Sequence, residues 1–289
     1  MSRQNTALIV ALSLLVAGCN RPSTPPPQGE SPQRIVSLAP NITETLYVLG
    51  LGDQVIGTTT FCSYPEEAKA TPKVGGFGQY NYEVIVGLSP DLVILHKEYV
   101  AEKSKLNNLA IPTLETGSYS IADILATILS VGSACGASQQ AESLVCSLEQ
   151  RINELRRIET EQPRVLMIFE GNVDSMNEQL HAFGTNNLHS ELLEIAGGRN
   201  VITSQQPYCL LSREAVLRLN PDIIIVLAPE LECSGPLANT FSTYPTITAV
   251  QKQQIHILTN DYACIPGPRF IQTLEDFVRI IEKNHLEEE

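Results

Sequence analysis

One run of residues occurs twice. Tyr82-Glu83-Val84-Ile85-Val86-Gly87-Leu88-Ser89-Pro90-Asp91-Leu92-Val93-Ile94-Leu95 returns as Arg213-Glu214-Ala215-Val216-Leu217-Arg218-Leu219-Asn220-Pro221-Asp222-Ile223-Ile224-Ile225-Val226, with Glu, Leu, Pro-Asp and the apolar stretch in register. The offset, 214 − 83 = 131 residues, is too long for a solenoid repeat and about right for a domain. Two copies of one fold are therefore expected, with a ligand-sized space between them.

The repeat extends beyond this run. Arg34-Ile35-Val36-Ser37-Leu38 reads as a buried strand, followed by a helix that Asn41 caps, with Glu44 completing a capping box and Gly50 ending it. The second half answers with the strand Arg164 to Phe169 and, after a longer loop, a helix from Glu191 to Gly197; Glu and Gly are six apart both times (50 − 44 and 197 − 191). Apolar strands at Leu92–Leu95 and Ile223–Val226 each follow a helix and a Pro-Asp turn, so β and α elements alternate. The expected fold is α/β: two Rossmann-like lobes with central parallel sheets, residues 34–137 and 162–289. In residues 138–161, Ala141, Leu144, Val145, Leu148, Ile152 and Leu155 recur at helical spacing with no Gly or Pro among them. One helix roughly 35 Å long is expected to join the lobes and to restrict them to modest closure.

The first residues carry a destination. An apolar run from Ala7 to Val16 leads into Val16-Ala17-Gly18-Cys19, the form of a lipoprotein signal peptide over residues 1–18 with Cys19 as the acylated residue. Residues 19–33 hold Pro22, Pro25, Pro26, Pro27 and Pro32 and are expected to form an extended tether. The chain is thus expected outside the cytoplasm, held to a bacterial membrane by lipid alone. A net charge of −13 argues against nucleic acid as a partner, because phosphate needs clustered Lys and Arg. In an oxidising compartment the remaining cysteines are expected to pair. Bonds are expected between Cys135 and Cys146 and within the set Cys62, Cys209, Cys233 and Cys264, with free buried thiols, or contact with a metal or the ligand, as the lesser alternatives; no resident metal site is expected.

Together these features resemble the cobalamin and iron-siderophore substrate-binding proteins of ABC importers, of the class III periplasmic-binding type. The motifs are Arg34-Ile35-Val36-Ser37-Leu38-Ala39-Pro40-Asn41, Tyr64-Pro65-Glu66-Glu67-Ala68, Lys73-Val74-Gly75-Gly76, Leu88-Ser89-Pro90-Asp91-Leu92-Val93, Ala196-Gly197-Gly198-Arg199-Asn200-Val201 and Pro266-Gly267-Pro268-Arg269. The resemblance implies a monomer that hands a bulky metal chelate to a permease and its ATPase. It also implies that Glu83 and Glu214, one on each lobe, pair with permease arginines. The local reading is that Asn81 and Ser212 cap helices whose first-turn Glu complements the dipole.

Ligand is expected in loops at the carboxyl ends of the strands, where aromatic residues gather. Phe61, Tyr64, Phe77, Tyr80, Tyr208 and Tyr262 are candidates, with Tyr82 beside them, and Asp261 and Arg269 are the polar candidates. Relatives that bind corrinoids carry tryptophans at some of these places, and this chain has no Trp. Haem-binding relatives carry a tyrosine ligand seven residues before the docking glutamate, where this chain has Gly76. A corrinoid suits the aromatic lining; a ferric siderophore, usually anionic, would want more basic residues than Arg269 and Arg213. The rival class is a secreted enzyme working in the cleft. The chain has no G-x-S-x-G, H-E-x-x-H or Walker A motif, and His96, His181, His189, His256 and His285 are scattered, suiting surface or cleft-rim roles.

Overall fold

The computed structural model describes residues 31–76, 78–158, 161–169, 179–229, 241 and 244–288. Cys19, most of the tether, Phe77 and Cys233 lie outside them.

The first lobe is built on β1 (Ile35–Ser37), β2 (Val55–Thr58), β5 (Leu92–His96) and β6 (Thr113–Thr116), a parallel sheet in the order β2-β1-β5-β6. A small antiparallel pair, β3 (Gly75–Gly76) and β4 (Gln79–Tyr80), lies between β2 and β5 in the chain. The second lobe has a parallel centre of β7 (Arg164–Phe169), β11 (Ile223–Leu227) and β12 (Ile255–Leu258). To this it adds β8 (Gln179–Phe183) and β10 (Tyr208–Ser212), which run antiparallel, and the short β9 (Arg199–Asn200) beside the start of β7. The parallel centres follow from strands buried on both faces: β11 is buried at every residue, and β1 likewise.

The helices are α1 (Pro40–Val48), α2 (Tyr82–Gly87), α3 (Val100–Asn108), α4 (Ile121–Ala134), α5 (Ser138–Leu155), α6 (Leu188–Ile195), α7 (Arg213–Leu219), α8 (Thr248–Gln251) and α9 (Phe270–Glu288). Among the described residues no helix is long and apolar enough to cross a membrane. The joining helix α5 buries Ala141, Val145, Leu148, Ile152 and Leu155 as their spacing requires. It stops at Leu155 where Arg156 turns extended, which makes it about 27 Å long, shorter than the periodicity suggested. Ile158 would continue the helical period but is left exposed.

The sequence repeat has a structural cause. Ser89 and Asn220 both adopt left-handed backbone, with φ of 48° and 42°, which ends α2 and α7 and turns the chain through Pro-Asp. Asp91 Oδ2 accepts the Gln33 and Arg34 amides at 2.9 and 3.0 Å, and Asp222 Oδ2 accepts the Arg164 amide at 2.9 Å. Each arginine then reaches back to the end of the preceding helix: Arg34 donates to Leu88 and Ser89 carbonyls, Arg164 to Leu219 and Asn220. These bonds tie the start of the first strand of each lobe to the helix end before its neighbour. The expected Gly stops also agree: Gly50 and Gly197 have φ of 78° and 88°, and Leu51 and Gly198 donate to Leu46 and Leu193 carbonyls, both at 2.9 Å.

Among the described residues one apolar cluster runs through both lobes. It takes Ile35, Ile42 and Leu46 from the first, Val165, Leu192 and Phe277 from the second, and Ala141 to Leu155 of α5 between them. Helices α4 and α5 come so close that a Cβ on Gly132 would stand 2.4 Å from that of Ala141. Gly132→Val is expected to lower stability by about 1–3 kcal/mol through this overpacking, read from urea unfolding; an unchanged midpoint would show that the two helices can part freely.

Candidate functional site

The cleft between the lobes has a volume of about 850 Å³. Its first wall comes from Leu38 to Asn41 at the β1–α1 junction and from Phe61, His96 and Tyr99; its second from Phe169, Phe183, His189, Tyr208, Asp261 and Cys264. The lining is chiefly apolar and aromatic, and no lysine or arginine is among its described residues. It lies at the carboxyl ends of strands in both sheets, since His96 ends β5 and Phe169 ends β7.

The expected residues divide. Phe61, Tyr208 and Asp261 line the cleft. Phe61 is exposed and lies across Gly76, where a Cβ would meet its ring at 2.7 Å. Tyr208 opens β10 and is 53 % exposed, its ring 5.4 Å from that of Phe183. Tyr80, by contrast, is buried with its hydroxyl donating to the Leu38 carbonyl at 3.1 Å; burial raises its pKa strongly. Tyr262 turns away from the cleft, donating to Asp276 at 2.8 Å and accepting from Asn260 at 2.9 Å, and burial pushes its phenol up to about 12. Tyr82 packs on the first-lobe core beneath the Lys105 ammonium. Phe77 is outside the described residues.

Arg269 and Tyr64 take a different role from the one expected. Arg269, 12 % exposed, donates to both oxygens of Glu44 at 3.0 and 2.5 Å and to both oxygens of Asp261 at 2.9 Å. Its guanidinium carbon sits 3.8 Å from the Tyr64 ring centre. Burial works against the Arg269 charge, but the bonds to Glu44 and Asp261 outweigh it and raise the pKa. The same guanidinium holds the Asp261 carboxyl below its usual range. Burial pushes the Glu44 carboxyl up, and Arg269 offsets part of that rise. Arg269 is thus a clamp between lobes, with its charge already spent on two carboxylates.

The capping box expected at Asn41 and Glu44 is absent for the same reason. Ala39 is the cap residue, Pro40 opens the helix, and Glu44 is drawn across to Arg269. Glu191, its counterpart in the repeat, also crosses: its Oε2 accepts the Ile121 amide at the start of α4, 2.9 Å away.

Among the described residues the expected disulfides are not formed. Cys62, Cys135, Cys146, Cys209 and Cys264 are all free thiols. Cys135 is buried in the core at the end of α4, whereas Cys146 faces solvent from α5 beside the inward Val145, so the Gly136 turn leaves them on opposite sides. Cys62 is buried 3.1 Å from the hydroxyls of Thr43 and Thr59. Cys209 and Cys264 pack on different faces of the second sheet. Of the loop cysteines only Cys264 lines the cleft among the described residues, and burial pushes its thiol up to about 12.

Tyr99, Phe169 and Phe183 escaped sequence reading, while His96, His181 and His189, expected only at the surface or cleft rim, line the cleft. The strand-end rule would have found His96 and Phe169. Phe183 and His189 needed the antiparallel β8 and the packing of α6 beside it, which periodicity does not reveal. On the outer surface, Asn81 and Ser212 cap α2 and α7 as expected, accepting from Val84 and Ala215 amides at 3.1 and 3.3 Å. Glu83 and Glu214 are exposed in those first turns.

Two lobes sharing one core, with an aromatic cleft at the strand ends, define a binding protein that encloses its cargo between domains. The chain belongs to the periplasmic binding protein family, which matches residues 35–262, and it is an extracytoplasmic substrate-binding component of an ABC importer. It is 28 % identical over 264 residues, 87 % of this chain and 81 % of the other, to an uncharacterized ABC transporter substrate-binding lipoprotein, YvrC, of Bacillus subtilis. A vitamin B12-binding protein of Pectobacterium carotovorum is 31 % identical over 199 residues, 68 % of this chain and 71 % of that one. Among solved structures, the periplasmic heme-binding protein RhuT of Roseiflexus is similar at a TM-score of 0.75 and 27 % identity, covering 89 % of this chain and 99 % of that one.

His189 gives the cleft wall a pH dependence. It is fully buried against Phe183, its Nε2 2.7 Å from the Ala263 carbonyl, and burial lowers its pKa to about 4. The unfolded chain takes up a proton near the ordinary histidine value of 6.5 and the folded chain only near 4. Its contribution is therefore complete above pH 6.5, lost progressively as pH falls to 4, and level below that. The loss is on the order of 3 kcal/mol. Urea midpoints from pH 7.5 to 4.5 are expected to fall less steeply for His189→Gln than for the natural chain; parallel curves would refute the assignment.

Proposed function

We propose that the cleft captures one bulky metal chelate, a corrinoid above other candidates, and that the chain delivers it to an ABC permease and its ATPase without transforming it. The observation that carries this reading is an aromatic cleft of about 850 Å³ whose described lining has no lysine or arginine. Flat rings suit a large rigid ligand at low entropic cost. With Arg269 held by Glu44 and Asp261, the cleft offers little to an anionic ferric siderophore. The vitamin B12-binding relative supports the corrinoid, and the heme-binding structure supports a porphyrin as second reading. Acylation at Cys19 would keep the protein at the membrane that holds its permease.

Calorimetry of the purified protein against cobalamin, cobinamide, hemin and a ferric siderophore tests the choice. One-to-one corrinoid binding is expected, with Tyr208→Ala weakening it by roughly 1–3 kcal/mol. Tight siderophore binding with no corrinoid binding at tens of micromolar would overturn the reading.

Delivery is proposed to use Glu83 and Glu214. Each stands in the first turn of a capped helix on its own lobe, and each is followed one turn later by an exposed apolar residue, Val86 or Leu217. Neither glutamate lines the cleft. Reversing both to Lys is expected to leave ligand affinity unchanged while cellular uptake falls sharply, because facing like charges cost several kcal/mol. Normal uptake by the double variant would reduce both residues to helix-terminal charges.

A further inference from the structure

We propose that His96 is an axial ligand to the metal of the captured chelate, so that the cleft selects planar chelates with an exchangeable axial position. This rests on the metal-chelate reading of the cleft and goes beyond it by naming the bond and the side chain.

The geometry assigns one ring nitrogen to each task. His96 ends β5 and lines the cleft from the first lobe. Its Nδ1 is 3.4 Å from Thr116 Oγ1, on the neighbouring strand β6. The Thr116 hydroxyl donates its hydrogen to the Leu95 carbonyl at 3.2 Å, so its oxygen is left to accept. Nδ1 therefore carries the proton, and Nε2 is left with a bare lone pair. The ring is steadied edge-on by Tyr99, centroids 5.7 Å apart at 72°. An imidazole whose second nitrogen donates to an outer hydrogen-bond partner is the usual arrangement of a metal-ligating histidine.

The other two cleft histidines differ. His189 has its Nε2 on the Ala263 carbonyl. His181 is exposed on β8, with no partner to orient its ring among the described residues. In the proposed step the Nε2 lone pair forms the bond to the metal as one water leaves with its own electron pair. The oxidation state is unchanged and no proton moves.

Diaquocobinamide and hemin are the probes, both added to the full chain and to the His96→Ala and His181→Ala variants, with melting curves to show that each variant folds. Calorimetry reports capture, and the visible spectrum reports ligation by comparison with each probe in free imidazole. Wild type and His181→Ala are expected to show the imidazole-type spectrum with at least one probe. For that probe, His96→Ala is expected to keep the water-ligated spectrum until imidazole is added, and to bind on the order of tenfold or more weakly. Capture by wild type with no spectral change would overturn the ligand assignment and leave the chelate reading standing, as would a shift that survives in His96→Ala. Failure of wild type to bind either probe would overturn both.

Discussion

Arg269 is the charge on which the cleft depends. It lies between Glu44 of the first lobe and Asp261 of the second, with the Tyr64 ring against its face. An arginine removed from water needs every donor met, and four of its bonds here go to carboxylate oxygens. The planar fork sets distance and angle together, so α1 and the loop before α9 are held in one relation. Glu191 makes the reciprocal crossing to the start of α4. The two glutamates hold corresponding places in the repeat, so each lobe reaches into the other by the same residue type.

Beneath these polar crossings lies the shared apolar core. Residues of both lobes and of α5 pack as one cluster, which a wide clamshell motion would tear open. Cargo is therefore best met by a cleft largely formed in advance, with adjustments in exposed side chains such as Phe61 and Tyr208. Such a cleft favours a rigid, bulky ligand over a small one that needs full enclosure.

The lining also explains why charge is a poor guide here. The chain carries a net charge of −13, yet the cleft is apolar, because its polar groups are spent internally. Tyr80 serves Leu38, Tyr262 serves Asp276 and Arg269 serves two carboxylates. Histidines and half-exposed aromatic rings remain to meet the ligand. This is a surface for shape and coordination rather than for ion pairing.

The two-lobe α/β fold could be read from one dimension because its determinants are local. The αL-Pro-Asp turns, the Gly stops at Gly50 and Gly197, and the apolar runs of β1, β5, β7 and β11 act within a few residues or repeat at a constant offset. The caps at Asn81 and Ser212 were legible for the same reason. Long-range choices were not. Glu44 satisfies a local capping pattern, but its partner lies 225 residues away, and a buried ion pair outweighs a surface cap. Aromatic residues in loops looked alike, although packing turned Tyr80 and Tyr262 inward and left Phe61 and Tyr208 in the cleft. Cysteine pairing depends on which side of a helix or sheet each thiol occupies, and that is decided only when the elements pack.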